Sequence, residues 1–185
     1  MNRIVLIRHG RPELSRNVRL TAAGYRDWWQ RYDGSGLRAG QSVPPDIREW
    51  VRDATVVSSP LPRARESARL AREGREPDRI LPDLVEAPLP PPGLGPVRLR
   101  PISWGTVSRV LWMAGRAAGG ESAREAGLRA ARAADALEDL ARERSVAVFA
   151  HGWFNRMLGR ELRRRGWRCV RGRGDGYWSY RVYER

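Results

Sequence analysis

The chain of 185 residues contains two histidines, His9 and His151, and they stand in equivalent settings. Each one follows a run of apolar residues, 3–7 and 145–150, and each is followed by a glycine. Short apolar runs rich in β-branched residues are typical of buried strands. Because side chains at the carboxyl ends of parallel strands line the crevice where ligands bind, we expect both imidazoles at one site.

Two arginines are expected at the same place. Arg8 directly precedes His9, and Arg63 follows a third apolar run, residues 54–57. The planar fork of an arginine donates two parallel hydrogen bonds to two oxygens of a phosphate. Two arginines and two histidines at neighbouring strand ends therefore predict a cationic cup for one phosphoryl group.

The rest of the sequence alternates between strand and helix patterns. We expect helices over residues 21–32, 63–73, 103–117, 121–143 and 153–165, with a short one through Ile47 and Trp50. Further strands are expected over 79–81 or 84–86 and, at an edge of the sheet, over 178–183. In the helix 121–143, the residues at helical spacing predict its buried face. They are Leu128, Ala131, Ala134, Leu137, Leu140 and Ala141. This order predicts an α/β fold, a single-domain α/β/α sandwich with a mostly parallel central sheet.

Residues 87–101 contain six prolines and predict a stiff extended loop. Long ordered loops usually serve a function, so we expect this one near the site. Neither flank shows the composition shift of a domain boundary. The whole chain, residues 1–185, is therefore expected to form one domain.

The formal net charge of +14 is the excess of 35 arginines over 21 aspartates and glutamates, and the chain has no lysine. These arginines are spread along the whole sequence, which disfavours a dedicated nucleic-acid surface. A basic surface would instead attract anionic substrates. The sequence leaves the oligomeric state open.

A single cysteine, Cys169, excludes an internal disulfide and a multi-cysteine metal site. We expect it to fill space in a buried segment. No apolar run is long enough for a secretory signal or a membrane span, so we expect a cytoplasmic protein.

Four segments, in order, resemble one protein family. Arg8-His9-Gly10 after an N-terminal strand resembles the signature of the histidine phosphatase superfamily, which includes the cofactor-dependent phosphoglycerate mutases. The other three segments are Leu20-Thr21-x-x-Gly24, Ser59-Pro60-Leu61-Pro62-Arg63-Ala64 and Val148-Phe149-Ala150-His151-Gly152. The resemblance extends from residue 3 to about residue 160.

The resemblance implies a role for each matching residue. His9 would be the nucleophile that becomes a phosphohistidine. Arg8, Arg63 and His151 would bind the phosphoryl oxygens. Neither a metal nor a cofactor would be needed, because these cations supply the positive charge.

The family often has an acidic proton donor after the third strand region, where this chain has Glu86. A carboxylic acid flanked by apolar residues can keep its proton near neutral pH. Asp83, Glu13 and Glu121 are the reserve candidates for this role.

The sequence departs from the mutase pattern after the first motif, where Arg11-Pro12-Glu13 replaces a glutamate and a serine-asparagine stretch. We therefore favour a phosphatase that hydrolyses a small phosphorylated metabolite, with Arg11 and residues 88–100 contacting it. Three alternatives stay open: a phosphoglycerate mutase, a protein phosphohistidine phosphatase, and a phosphate-binding module with weak catalysis.

Overall fold

The computed structural model describes residues 2–87, 91–93, 95–116 and 120–185. In these residues the strands are β1 Arg3–Arg8, β2 Thr55–Ser58, β3 Arg79–Ile80, β4 Val146–Ala150, β5 Arg168–Arg173 and β6 Tyr180–Glu184. The helices are α1 Ala22–Asp33, α2 Pro45–Arg52, α3 Pro62–Ala71, α4 Pro101–Met113, α5 Ala123–Glu143 and α6 Gly152–Arg164. A short 3-10 helix, Pro82–Leu84, excludes the alternative strand over 84–86.

The strands form one sheet in the order β3-β2-β4-β1-β6-β5. Strands β1, β2, β3 and β4 run parallel, and β6 is antiparallel to both of its neighbours. The mostly parallel sheet is thus confirmed, but the last strand is not at an edge, because β5 lies outside it. Strand β5 was not predicted because all its residues are exposed and it lacks an apolar pattern. Cys169 lies on β5 and is exposed, so the expectation that it is buried is wrong.

Alternate residues of β1 pack on opposite faces of the sheet. Ile4 and Leu6 belong to the core cluster that contains residues of α5 and α6. Val5 and Ile7 belong to the cluster that contains residues of α2 and α3. A strand with both faces covered is buried throughout, which explains its continuous apolar sequence. The three-layer prediction is confirmed.

Helix α5 begins with a capping box. The Ser122 hydroxyl accepts a hydrogen bond from the Glu125 backbone N–H, and the Glu125 carboxylate accepts one from the Ser122 backbone N–H. The face of α5 that meets the sheet includes Ala130, Ala134 and Leu137. Leu128, predicted to be on that face, is 56% exposed, so this part of the prediction is wrong.

Helix α4 ends earlier than predicted. Gly115 has a φ of +73°, and its N–H donates to the Trp112 carbonyl while the Arg116 N–H donates to that of Leu111. This pairing stops the helix after Met113, four residues before the predicted end at 117. Across the described ranges, no helix is both long enough and apolar enough to cross a membrane.

Helices α1 and α4 pack on each other through aromatic side chains, apart from the two faces of the sheet. Tyr25, Trp28 and Tyr32 of α1 are buried with Trp104 of α4. The indole N–H of Trp104 donates to the Leu20 carbonyl at 2.7 Å.

The proline-rich segment leads into this pair of helices. Its described residues form neither helix nor strand before Pro101, apart from a bridge that pairs Leu99 with Leu20. Pro88, Leu89, Pro90 and Leu94 lie outside the described residues. The described part of this segment therefore agrees with the predicted extended loop.

Candidate active site

His9 follows β1 directly and is 2% exposed. Its Nδ1 lies 2.7 Å from the carbonyl oxygen of Gly10. Because a carbonyl oxygen only accepts, Nδ1 carries the proton and Nε2 keeps its lone pair. Burial, and after it the charge of Arg63, holds the pKa of His9 well below its ordinary value. The ring is therefore neutral and has one nucleophilic nitrogen.

His151 follows β4, the strand between β1 and β2, and it is fully buried. Its ring centroid is 5.2 Å from that of His9. Its Nε2 lies 2.9 Å from the hydroxyl oxygen of Ser59, which follows β2. Burial, then Arg63 and His9, lowers the pKa of His151 well below its ordinary value. The ends of three adjacent parallel strands thus bring these groups together.

Arg63 lies in the first turn of α3 and is 1% exposed. Its guanidinium donates to the Tyr32 carbonyl at 2.9 Å and to the Asp33 carboxylate at 3.0 Å. Arg8 is held from another side, because it donates to the Asp175 carbonyl at 2.7 Å. The C-terminal end of α1 therefore fixes Arg63, and the segment between β5 and β6 fixes Arg8.

Arg16 and Tyr177 complete the surroundings of His9. The Tyr177 ring centroid lies 5.8 Å from that of His9, and the Arg8 guanidinium carbon lies 4.9 Å from the Tyr177 centroid. The Arg16 guanidinium lies 5.6 Å from the same ring and donates to the Tyr32 hydroxyl. Tyr177 thus covers His9 and is flanked by two cations.

Several buried nitrogens at this place have no hydrogen-bond partner among the described residues: Arg8 Nε, Arg16 Nε, Arg63 Nε and His151 Nδ1. An unsatisfied buried donor costs about 1–3 kcal/mol. Such donors around one nucleophile match the oxygens of an anion. We call these four residues with His9 the phosphoryl site.

Glu86 lies at the N-terminus of α6. Its Oε1 accepts hydrogen bonds from the backbone N–H groups of Ala87 and Phe154, at 3.1 and 3.0 Å. Its Oε2 accepts one from Trp153 at 3.2 Å. A carboxylate oxygen has two acceptor positions, so Oε2 has one left for a proton. Glu86 and Arg8 also line the same cavity, of about 500 Å³.

The structure brings together the residues that the sequence predicted for the site. Arg8, His9, Arg63 and His151 form one cluster, and Glu86 lies beside Arg8. The reserve candidates have other surroundings. Asp83 pairs with Arg132 at 2.9 Å and Glu121 pairs with Arg129 at 2.6 Å. Glu13 lines a second cavity, of about 850 Å³, together with Arg8 and Arg11.

Sequence reasoning missed Arg16, Tyr177 and Ser59 as members of this site. Arg16 and Tyr177 lie in irregular segments, and nothing in their spacing separates them from the other arginines and tyrosines. Ser59 lies within a quoted motif, so its position next to a strand end was a usable signal. Among the described residues, no group of three or more His, Cys, Asp or Glu side chains could hold a metal ion.

The geometry agrees with a comparison against protein families. The family model described as "Histidine phosphatase superfamily (branch 1)" matches residues 4–172. This chain belongs to the histidine phosphatase superfamily. The match covers both histidine motifs and Arg63, so the resemblance noted in the sequence is confirmed.

Solved structures share the fold of this histidine phosphatase. A mycobacterial glucosyl-3-phosphoglycerate phosphatase in complex with VO3 has a TM-score of 0.63 and 19% identity, covering 98% of this chain and 92% of that one. A phosphoserine phosphatase from Entamoeba histolytica in complex with 3-phosphoglyceric acid has a TM-score of 0.58 and 15% identity, covering 98% and 90%. A protein called mycobacterial hydrolase 1 has a TM-score of 0.60 and 22% identity, covering 88% and 78%. None of the curated proteins matches the chain.

Proposed function

We propose that this protein is a metal-independent phosphomonoesterase that hydrolyses a small phosphorylated metabolite through a phosphohistidine on His9. One observation carries this proposal: a neutral, buried imidazole with its Nε2 lone pair available lies close to buried arginines whose Nε atoms have no partner among the described residues. Two solved relatives of the same fold are named as phosphatases of phosphorylated metabolites, which supports the same substrate class.

In the first half-reaction, the lone pair of His9 Nε2 attacks phosphorus and the ester P–O bond breaks. The hydrogen bond from Nδ1 to Gly10 holds the ring in the reactive tautomer and stabilises the positive charge that it gains. The guanidinium groups of Arg8, Arg16 and Arg63 would bind the equatorial oxygens as charge builds up. The departing alkoxide would take its proton from Glu86.

His151 would add one more donor to the phosphoryl group. Ser59 Oγ already accepts a weak hydrogen bond from the Leu61 N–H at 3.4 Å, so its own hydroxyl proton is free to point at His151 Nε2. That arrangement leaves the proton of His151 on Nδ1, which has no partner among the described residues.

In the second half-reaction, water attacks phosphorus and the P–N bond to His9 breaks. Glu86, now a carboxylate, would take the proton from this water. The products are inorganic phosphate and neutral His9, so the site returns to its starting state with Glu86 protonated again. A group that donates and then accepts a proton must lie near both leaving group and water, and the shared cavity of Arg8 and Glu86 provides this proximity.

The proposal is tested by phosphate release from phenyl phosphate in the presence of a strong chelator. We expect wild-type turnover to continue and His9→Ala to be inactive. A rapid quench in alkali, which preserves phosphoramidates, should trap label from phosphorus-32 ester on the wild type alone. Turnover by His9→Ala, or a loss of wild-type activity that added metal restores, would contradict the proposal.

Three further ligands separate the alternatives. A mutase would move the phosphoryl group between positions of phosphoglycerate without releasing phosphate. A protein phosphohistidine phosphatase would prefer a phosphohistidine peptide to every small ester. A weak binding module would bind a phosphate analogue such as vanadate, with a dependence on Arg63, and would turn nothing over.

A further inference from the structure

A cavity of about 500 Å³ adjoins the phosphoryl site, with Arg8, Arg16 and Glu86 in its lining. The rest of its lining is mainly aromatic and apolar. It includes Tyr25, Trp28, Trp29, Trp153, Ile102 and Val110. We call this space the aromatic cavity. Its size is that of pockets that hold molecules much larger than a phosphate.

One face of α4 continues this apolar lining to the protein surface. Ile102, Val110 and Met113 line the aromatic cavity and are 65%, 56% and 53% exposed. Residues at such spacing share one side of a helix. Exposed apolar side chains gathered at the edge of a polar site are typical of a binding groove.

Arg109 adds a charged group to the aromatic cavity that the proposed mechanism does not use. It is 7% exposed, and its guanidinium lies between the rings of Trp112 and Trp153, at 4.8 and 4.6 Å from their centroids. One terminal nitrogen donates to the Ala87 carbonyl at 3.3 Å. The other, NH1, is buried and has no partner within the described ranges.

Burial lowers the pKa of Arg109 to about 10, so the guanidinium still carries its charge at neutral pH. Burying the Arg109 guanidinium costs desolvation free energy. The two flanking aromatic rings offset only part of this cost. A hydrogen-bond acceptor on a ligand would complete its bonding.

We infer that the substrate is the phosphate ester of a bulky aromatic alcohol that carries a hydrogen-bond acceptor, with the ring in the aromatic cavity and the acceptor on Arg109. This inference rests on the proposed phosphatase function and names its substrate class. Flat rings stack well against Trp28, Trp29 and Trp153. A small polar alcohol would leave these rings facing water and Arg109 unsatisfied.

The first test compares phosphate esters whose alcohols have similar basicity, so that leaving-group chemistry cancels. The pairs are phenyl against 2-naphthyl phosphate, and ethyl against 2-phenylethyl phosphate. We expect kcat/KM to be roughly 10- to 100-fold higher for the larger member of each pair, as for extra apolar groups in other pockets. Equal values within both pairs, in an active enzyme, would overturn the inference and leave the proposed function intact.

A second test fills the aromatic cavity. Thr106 lines it and is exposed on α4, so Thr106→Trp should lower the ratio of 2-naphthyl to phenyl turnover about tenfold. Ser103→Trp is the matched control, because Ser103 is exposed on the same helix and is not among the residues that line the cavity. A ratio that changes equally in both variants would contradict the proposed position of the ring.

A third test addresses the acceptor. A naphthyl phosphate with a carboxylate on its far ring should be favoured roughly tenfold over plain naphthyl phosphate, as for a hydrogen bond between charged groups. Arg109→Met should abolish that preference, with thermal melting as the check that the variant folds. An unchanged preference in a folded Arg109→Met protein would exclude Arg109 as the anchor.

Binding distinguishes failure of this inference from failure of the proposed function. If no ester is hydrolysed, calorimetry with 2-naphthylmethylphosphonate and methylphosphonate still compares the two ligands in the absence of turnover. Tighter binding of the naphthyl compound, lost in Thr106→Trp, would support the aromatic cavity even in a protein that is not a phosphatase. Equal binding would overturn the inference.

Discussion

The phosphoryl site and the aromatic cavity share Arg8 and Arg16 but are otherwise built from different elements. His9, Ser59 and His151 follow three adjacent parallel strands, whose ladders fix their relative positions. The aromatic cavity is lined mainly by side chains of helices α1 and α4 and of the first turn of α6. Rigid strands position the groups that do chemistry, whereas helices and loops at the rim can change without disturbing them.

The two regions also differ in how their polar groups are satisfied. In the phosphoryl site, several buried donors have no partner among the described residues. In the aromatic cavity, most of the lining residues are apolar, and the buried guanidinium of Arg109 lies between two tryptophan rings. The first arrangement suits an anion of high charge density, and the second suits an apolar group with one acceptor. Variants should therefore affect rate in the first region and substrate preference in the second.

The largest effect is expected from Arg63→Ala. It removes a buried donor beside His9 and leaves the Asp33 carboxylate without its partner. We expect kcat/KM to fall about 10³-fold for every substrate, as when a transition-state donor is lost elsewhere. Steady-state kinetics on both ethyl and 2-naphthyl phosphate measure this loss.

Arg65→Ala is the matched control, because Arg65 lies on the same helix with an exposed ion pair to Glu76. Exposed pairs of this kind contribute about 0–1 kcal/mol, so the control should stay close to wild type. Arg63→Ala should lower kcat/KM for ethyl and 2-naphthyl phosphate by the same factor. A change in the ratio of these two values would contradict the division of roles between the two regions.

Glu86→Gln should have the next largest effect and should depend on the leaving group. Ethyl phosphate needs a proton on its departing oxygen, so its kcat should fall about 10²-fold. The 4-nitrophenyl ester leaves as a stable anion and should lose much less. Asp83→Asn, a control three residues away at an exposed ion pair with Arg132, should lower neither rate. Equal losses on both esters would show that Glu86 acts only as a cap for α6.

The pH dependence of stability tests the buried, neutral state of the two histidines. Unfolded histidine binds a proton near pH 6.5, whereas His9 and His151 in the folded protein bind theirs only at lower pH. The unfolded state therefore binds more protons than the folded state below about pH 6.5. As the pH falls below this value, each histidine should lower the free energy of unfolding by about 1.4 kcal/mol for every pH unit, until the pKa of the folded histidine is reached. Above that window their effect is constant.

Urea denaturation at pH 7.5 and 5.5 measures how much the free energy of unfolding changes between these two pH values. The double variant His9→Asn/His151→Asn lacks both groups, while it keeps other titrating groups such as Asp33, whose pKa is raised by burial. The difference between wild type and double variant isolates the histidines. Identical pH dependence in the two proteins would mean that folding leaves the pKa of both histidines unchanged, which would contradict their lowered pKa in the buried site.

The clustering of the candidate site residues could be predicted from sequence because these residues lie in local motifs. A strand followed by a histidine and a glycine occurs twice, and parallel pairing of β1 with β4 brings the two together. The layer order also followed from patterns, since strands buried on both faces have continuous apolar sequences. Strand β5 was missed because it has no apolar face and is held in the sheet by its pairing with β6.

The aromatic cavity could not be predicted in the same way. Trp28, Arg109 and Trp153 are separated by more than forty residues from one another, and they meet only when α1, α4 and α6 pack. The periodicity of a sequence indicates that a tryptophan on a helix faces the protein interior. It does not indicate whether that tryptophan packs against another side chain or lines a cavity. Tertiary packing therefore decides where the aromatic cavity forms and which residues line it.

The smallest effect is expected from the substitution Tyr177→Ala. Tyr177 is a member of neither the phosphoryl site nor the lining of the aromatic cavity. Its ring covers His9 and lies against Arg8, 4.9 Å from the guanidinium carbon. Tyr177→Ala removes the cation–π contacts of this ring with Arg8 and Arg16. Each such contact contributes about 0.5–2 kcal/mol, so kcat/KM should fall several-fold for all substrates alike. Tyr177→Phe keeps the ring and should match wild type. If Tyr177→Ala instead raised the rate for large esters only, the ring would be part of the substrate-selecting wall, and the boundary between the two regions would have to be redrawn to include it.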